Sequence, residues 1–572
     1  MKKNLSIRQR ELLSYLWYLI PVFFVVTSVV AYIKIISMGI LPWKYVFLGF
    51  LFGGLIFSGL FVARKKEAKR FCVALSVLSV VFSIVIVCGL VLLGRVTKTV
   101  DKVVSISPEK TRISVLVAKG SNIIDIGGIS GTRVGLADSD AVRQTIAEIN
   151  SELTEYPSYA CYDYYVDLID ALLAGEEDAA IIEDALLDVL DDIDESNLVE
   201  KKLTVLKTYD IVVGDSVPNV SFSREAVKIS DSFFLDEELY GEEIVTAVEA
   251  GDCGTNSDSE PDDESGESTE IQNQEDSAAT EKKSTGKKVV NTGGIPNTSS
   301  VAKTTALDWS NDIVSSGEGC FIAYISGIDT LGDVNIKRRS DVNILAVVNA
   351  NTGKIQLIST PRDYFVILPN VGQADKLTHA GIYGVDNSIA ALENLYGINV
   401  DYYLRMNFTG FVQIIDTLGG IDVWSDYEFT VEPVKTYSVG MNHLNGVEAL
   451  AFARERYSFS SGDVQRSSNQ MAVIKAMIGK MSSTDFLYNF GGILESISNC
   501  IQTSMPADVI YSYVNRQLSS GTNWQVDSYT TTGYGASAKT YTSPKLYHYV
   551  MTPNDDNVAY AHELIKSAVS GK

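Results

Sequence analysis

Apolar residues fill three runs near the start of the chain, at 16–36, 43–63 and 71–94, separated by short polar stretches. Each run is about 20 residues long, enough for a helix to cross a hydrocarbon layer of about 30 Å. No amphipathic stripe of the kind a core helix shows interrupts them. Three full-length runs also do not fit one cleaved signal segment. The pattern predicts a three-helix transmembrane anchor over residues 1–100.

Beyond the anchor the pattern changes twice. In residues 111–250, stretches 113–117, 133–136 and 204–213 read as strands, and 140–153, 165–173 and 179–193 as helices, which predicts a small α/β accessory domain. Residues 251–317 form the next segment. Its 252–281 stretch is mostly Asp, Glu, Ser, Thr, Asn and Gly, too polar to offset chain entropy, so a disordered acidic linker is expected. Residues 318–572 return to strand-like runs at 320–325, 343–348 and 355–359, with helices expected at 386–396 and 408–417. Strands and helices without strict alternation predict an α-β-α sandwich around a central sheet.

Charge adds direction. The sequence has 47 basic and 71 acidic side chains, a formal charge of −24, which opposes a nucleic-acid partner because phosphate backbones select clustered Lys and Arg. Lys2, Lys3, Arg8 and Arg10 precede the first run, and Arg64, Lys65, Lys66, Lys69 and Arg70 lie between the second and third. Positive loops stay inside. This predicts a multi-pass protein of the cell membrane with a cytoplasmic N-terminus and everything after about residue 97 extracytoplasmic. Its chemistry must then run without cytosolic ATP. Six cysteines are too few for a disulfide scaffold, though a Cys320–Cys500 bridge is allowed on the outer face.

The candidate chemistry lies at predicted strand and helix ends of the last domain. Asp329 follows its first strand, Arg339-Ser340-Asp341 precedes the second, and Pro361-Arg362-Asp363 follows the third. Such ends converge where open sheets build sites. Arg454, Arg456 and Arg466 lie near the ends of two later helices. Guanidinium forks match phosphate oxygens two at a time, and Asp carboxylates suit Mg²⁺ with phosphate. Together they suggest a pyrophosphate site with a metal.

The motifs Gly327-Ile328-Asp329, Arg339-Ser340-Asp341, Thr360-Pro361-Arg362-Asp363 and Asp375-Lys376-Leu377-Thr378-His379-Ala380 continue with Asp401-Tyr402-Tyr403, Asn407-Phe408-Thr409-Gly410-Phe411, Leu418-Gly419-Gly420-Ile421-Asp422-Val423, Leu444-Asn445-Gly446, Ala453-Arg454-Glu455-Arg456 and Gly462-Asp463 with Arg466 and Gln470. In this order they resemble the LytR-CpsA-Psr (LCP) family. The middle domain, through Val134-Gly135-Leu136, the run 165–175 and the run 178–182, resembles a periplasmic-binding-protein-like domain. The LCP resemblance implies an extracytoplasmic phosphotransferase. Such an enzyme moves a glycopolymer from an undecaprenyl-pyrophosphate carrier in the membrane lipid onto peptidoglycan, typically a hydroxyl of N-acetylmuramic acid, in cell-wall assembly. It also implies roles: Asp329 and Asp341 as ligands of Mg²⁺ (or Mn²⁺), and Arg339, Arg362, Arg454, Arg456 and Arg466 as the pyrophosphate clamp with Gln470 adding a hydrogen bond. Asp363 would orient Arg362. Lys376 and His379 lie in a family block, Lys376 as a substrate contact and both with a structural reading open. Asp329 or Asp341 would be the base. Arg338, first of a doubled arginine, reads as surface. The runs 364–368 and 408–415 are candidates for a polyprenyl groove. The resemblance does not choose among teichoic acid, capsule and other wall polysaccharides. A second reading is a non-catalytic membrane receptor for lipid pyrophosphate or a solute; a third is a regulator of envelope gene expression.

Overall fold

The computed structural model describes residues 7–39, 41–65, 69–105, 107–193, 201–214, 224–225, 302–330, 332–460, 462–482, 494–495 and 497–572. The acidic stretch expected to be disordered, 252–281, lies outside them. Helices α1 (Ile7–Met38), α2 (Trp43–Lys65) and α3 (Lys69–Val104) form where the three apolar runs lie. Phe23, Trp43, Phe47 and Val85 are more than half exposed, as expected of helices whose surroundings are apolar. Among the described residues one helical segment, Ala74–Val104, is long and apolar enough to cross a membrane; Val22–Met38 and Trp43–Gly59 are shorter apolar segments.

The accessory unit is a six-stranded sheet built from β1 (Thr111–Ala118), β2 (Arg133–Ala137), β3 (Ser158–Tyr162), β4 (Ala179–Glu183), β5 (Leu203–Ile211) and β6 (Arg224–Glu225), in the order β5-β1-β4-β2-β3-β6. It carries α4 (Asp140–Glu152), α5 (Tyr165–Ala174) and α6 (Asp184–Ile193). The sequence pattern predicts one helix over 179–193. The first five of those residues are instead strand β4, whose Ala179, Ala180, Ile181 and Ile182 are fully buried between β1 and β2. A short apolar run of this kind has no periodicity to separate strand from helix.

The last unit centres on a second six-stranded sheet. Its strands β7 (Cys320–Ile328), β8 (Ser340–Asn349) and β9 (Lys354–Thr360) form an antiparallel meander. A hairpin, β10 (Phe365–Leu368) with β11 (Gln373–Lys376), leads into the short helix α7 (Leu377–Ala380) and then α8 (Val385–Tyr396). Strand β12 (Tyr402–Asn407) pairs parallel to β7, followed by α9 (Phe408–Thr417). Two hairpins come next, β13 (Ile421–Ser425) with β16 (Gly440–Leu444), enclosing β14 (Phe429–Val431) with β15 (Lys435–Tyr437). Then come α10 (Gly446–Arg454), α11 (Asp463–Met481), β17 (Ile501–Thr503), α12 (Ala507–Ser520), β18 (Gln525–Thr530), the hairpin β19 (Gly533–Lys539) with β20 (Tyr547–Pro553), and α13 (Asp555–Ser570). Sheet order is β17-β12-β7-β8-β9-β18. One core, with Ile322, Tyr324 and Leu345, lies under α8 and α13; another, with Ile344, Leu357 and Met471, lies under α11.

That order rules out the Cys320–Cys500 bridge. Cys320 opens β7 and Cys500 precedes β17, with β12 between them. Two strand spacings are about 10 Å, beyond disulfide reach, and both thiols are free. Of the runs 364–368 and 408–415, Tyr364, Leu368 and Ile415 are fully buried core residues, whereas Ile367 is exposed and Phe408, Phe411 and Val412 are half-buried.

Residues 302–317, the end of the segment 251–317 expected as a disordered linker, instead pack on this last unit, with Val314 buried in its core and Leu307 and Trp309 against it. Trp309 stacks on His562, with centroids 4.1 Å apart, and donates to Leu395 O at 3.0 Å. Gly397, at φ +62°, leaves room for it: an added Cβ would lie 2.3 Å from Trp309 Cγ. Gly397→Ala is therefore expected to cost about 1–3 kcal/mol and to redden Trp309 emission as the indole is pushed toward water. Unchanged emission and denaturation midpoint would contradict this packing.

The C-terminal end of α3 and the residues that follow it are also built in. Val103 joins the core of Ile414, Ile415 and Ile421. Lys102 reaches Asn499 at 2.5 Å, Lys110 pairs with Asp333 at 2.7 Å, and Glu109 pairs with the buried Arg405.

Candidate functional site

The meander places the sequence motifs together. Because β7 and β8 run antiparallel, the end of β7 meets the start of β8, with Ile328 opposite Ser340. The end of β9 lies on the other side, with Thr360 opposite Asn343. Pairing slips between Gly327, opposite Val342, and Ile328, opposite Ser340, so Asp341 is the extra residue of a β-bulge. A bulge re-aims a side chain out of the ladder. Here it turns Asp341 toward the loop after β9, where Arg362 Nη1 donates to Asp341 Oδ1 at 3.0 Å. Thr378 Oγ1, from α7, donates to the same oxygen at 3.1 Å.

Behind this pair lies a second ionic layer. Asp363 Oδ2 is 3.7 Å from Arg362 Nε, and Lys376 Nζ is 3.2 Å from Asp363 Oδ1. Arg339, Arg362, Asp363 and Lys376 are all buried. Lys376 and Asp363 thus bear on Arg362 from within the protein. His379 is fully buried, with Nδ1 2.6 Å from Asp375, and belongs to the scaffold.

The rim comes from α10 and α11. Asn445 and Glu448 close a capping box that fixes the start of α10, and Arg454 stands in its last turn. Its guanidinium lies over the Phe408 ring at 4.4 Å and 3.7 Å from Asp329 Oδ2. Arg454 is 55% exposed and Asp329 31%, against 8% for Arg362. Arg466, on α11, is close enough to Asp341 to act on its charge, and Gln470 lies one turn further along, half-buried. Asn469 ties α11 to α10 through Phe452 O at 3.2 Å. Arg456, half-buried, donates to Tyr457 Oη at 2.7 Å and lies over that ring.

The two metal-candidate carboxylates differ electrostatically. Burial pushes Asp341 up, but Arg362, Arg339 and Arg466 outweigh it and hold the carboxyl well below its ordinary range. Burial and then the Asp341 charge raise Asp329, against the partial relief of Arg454, Arg339 and Arg362. Like charges near one another behave in this way. Two hard carboxylates in mutual repulsion, one of them on an open rim, fit a divalent cation of the Mg²⁺ type.

Sequence reasoning missed Thr378, the place of the Phe408 ring under Arg454 and the environment of Arg338. Thr378 and Phe408 lie inside recognised blocks, where a hydroxyl and a ring show no charge to mark them. Arg338 is not surface: its side chain is 11% exposed and pairs with Asp184 and Asp188 of the accessory unit.

Comparison with known proteins agrees with the motif order. A Bacillus cereus protein named polyisoprenyl-teichoic acid–peptidoglycan teichoic acid transferase TagU is 35% identical over 186 residues, 32% of this chain and 60% of its own length. A Bacillus anthracis protein of the same name is 34% identical over 199 residues, 35% and 64% of the two chains. The chain thus spans less than two thirds of these relatives. Among solved structures, Bacillus subtilis TagU is 24% identical with TM-score 0.35, covering 44% of this chain and 97% of its own. A structure of TagT bound to LI-WTA is 23% identical with TM-score 0.36, covering 47% and 95%. The LytR_cpsA_psr family model matches residues 270–559, just over half of the chain, and the chain belongs to that family.

Proposed function

We propose that this protein is an extracytoplasmic phosphotransferase that moves a glycopolymer, of the teichoic acid class, from a polyprenyl-diphosphate carrier onto a peptidoglycan hydroxyl, such as that of N-acetylmuramic acid. The observation that carries this reading is the convergence of Arg339, Arg362, Lys376, Arg454 and Arg466 around Asp329, Asp341 and Asp363 at one sheet edge, in a chain of formal charge −24. Cations in excess there call for an anion, and a diphosphate matches guanidinium forks. The names of the relatives support the choice of donor and acceptor. The three N-terminal helices support a multi-pass anchor with this unit outside, where energy comes from the donor's own diphosphate.

In this reading Arg339 and Arg362 hold the diphosphate from the floor and Arg454 from the rim. Asp341 keeps Arg362 aimed, and Asp363 with Lys376 backs it from behind. The acceptor hydroxyl gives its proton to Asp329. It is the more open carboxylate of the two, since Asp341 is engaged by Arg362 and Thr378. The hydroxyl oxygen bonds to the sugar-linked phosphorus as the bridging P–O bond breaks. Lipid phosphate leaves with the electron pair, and the arginines take up the charge that develops. Asp329 and Asp341 would hold Mg²⁺ or Mn²⁺, which supplies charge neutralisation of the diphosphate. The test is transfer of label from a polyprenyl-diphosphate-linked polymer into purified peptidoglycan by the full chain in detergent. Label resistant to boiling in detergent is expected; none above a chain-free control would overturn the reading in favour of a lipid-diphosphate receptor.

A further inference from the structure

The doubled arginine at 338–339 divides between two units. Arg339 turns to the site, while Arg338 turns away and joins the accessory unit. Arg338 Nη1 lies 2.9 Å from Asp188 Oδ2, and Nη2 pairs with Asp184 Oδ2. Both carboxylates are on one face of α6, four residues apart. The other oxygen of Asp184 accepts from Ser114 Oγ of β1 at 2.5 Å. The guanidinium is thereby tied through Asp184 to the accessory sheet and not to a loose surface chain.

The backbone of the same segment is gripped from the other side. Gly381 packs on it so closely that an added Cβ would lie 2.5 Å from Arg338 O and 3.0 Å from Ser340 N. The next residue, Ile382, lies in the core of the accessory unit with Leu116, Tyr162, Tyr165 and Leu187, where Leu546 joins it, and Tyr383 packs against both cores. Thus the accessory unit reaches residues 338–341 twice, through the ion pairs of α6 and through Ile382 and Gly381. Those four residues carry Arg339 and the bulged Asp341. Farther along the interface, Lys545 pairs with Asp167 at 2.5 Å, without touching the segment.

We propose that the accessory unit is part of the transferase site, with Arg338, locked by Asp184 and Asp188, as the positioning residue that fixes Arg339 and Asp341. The assignment rests on the transferase reading for its kinetic consequence only; the structural consequence stands by itself. Asp188 also senses Arg339 and Asp329, and burial lifts its carboxyl to about 6 against the opposing pull of Arg338 and Arg339. This places α6 within electrostatic range of the site.

The experiment compares four full-length variants in detergent: Arg338→Ala, Arg338→Lys, the pair Asp184→Asn with Asp188→Asn, and Asp167→Asn as a control on the same interface. Two readouts are taken, hydrogen exchange of the peptide spanning 338–342 and the kcat and KM of lipid phosphate release. Arg338→Ala and the double Asn variant are each expected to speed exchange there and to lower kcat by about tenfold or more, with KM little changed, since misplacing a clamp by about 1 Å can cost up to about 10²-fold. Combining them is expected to add nothing further, because both break one contact. Arg338→Lys should recover part of the loss, and Asp167→Asn should leave both readouts near wild type. If Arg338→Ala proves unstable, the single Asp188→Asn decides by the same readouts. Unchanged exchange at 338–342, or an equal loss in Asp167→Asn, overturns the inference. A wild-type chain that releases no lipid phosphate overturns the transferase reading instead, and the exchange data still decide the role of Arg338.

Discussion

Arg362→Ala is expected to lower kcat for lipid phosphate release by about 10³-fold, the upper end of what one preorganised donor contributes at a developing charge. Arg362 is the residue through which the floor of the site is wired: Asp341, Asp363 and, behind it, Lys376 all bear on it. Its removal takes away a phosphate fork and also leaves buried carboxylates short of a partner, so stability falls as well. Arg362→Lys separates these effects. It keeps the charge for Asp341 and Asp363 but lacks the planar fork, so folding is expected to survive while kcat stays at least about 10²-fold down. Lysine supporting near-normal turnover would contradict bidentate recognition of the diphosphate.

The largest loss of stability is expected at Asp375, which contacts no substrate in this account. It is fully buried and accepts from Lys376 N at 2.7 Å, from Thr542 N at 2.7 Å and from Thr542 Oγ1 at 2.5 Å, with His379 Nδ1 at 2.6 Å. It fixes the turn that delivers Lys376 and Thr378 to the site. Asp375→Ala would strand these groups in the interior and is expected to cost about 3–5 kcal/mol, read as the shift in a urea denaturation curve. Burial raises the Asp375 carboxyl, but His379 and the Thr542 donors outweigh it, so its native pKa is depressed. Its contribution is therefore complete above the unfolded value of about 4 and is lost as pH falls through the native one. Wild-type stability should drop below about pH 4, and Asp375→Asn should flatten that part of the pH profile. A profile identical in the two proteins would contradict this assignment.

Much of the site is legible in the sequence because it is built from strand ends. A meander with short connections must bring the end of β7, the start of β8 and the end of β9 together, so the sequence alone groups Asp329, Arg339, Asp341 and Arg362. The bulge that aims Asp341 has no such signal; Gly327 and Val342 lie just outside the runs 320–325 and 343–348 that read as strands. The misread stretch 179–183 shows the same limit, since four buried apolar residues fit a strand and a helix equally. The contact between Arg338 and α6 is tertiary and joins residues about 150 apart, so neither local pattern nor family motif could reveal it. Arg454 was found by its charge, but not the Phe408 ring beneath it, which resembles any other core aromatic.

The arginine-lined sheet edge is proposed to grip a diphosphate whose bridging P–O bond breaks. The most direct measurement is the identity of the lipid product when the full chain, in detergent with Mg²⁺, joins a polyprenyl-diphosphate-linked polymer to peptidoglycan. Lipid monophosphate equimolar with attached polymer, and a phosphodiester at the linkage by phosphorus NMR, is the expected result. Lipid diphosphate as the released product, with a plain glycosidic linkage, would contradict it.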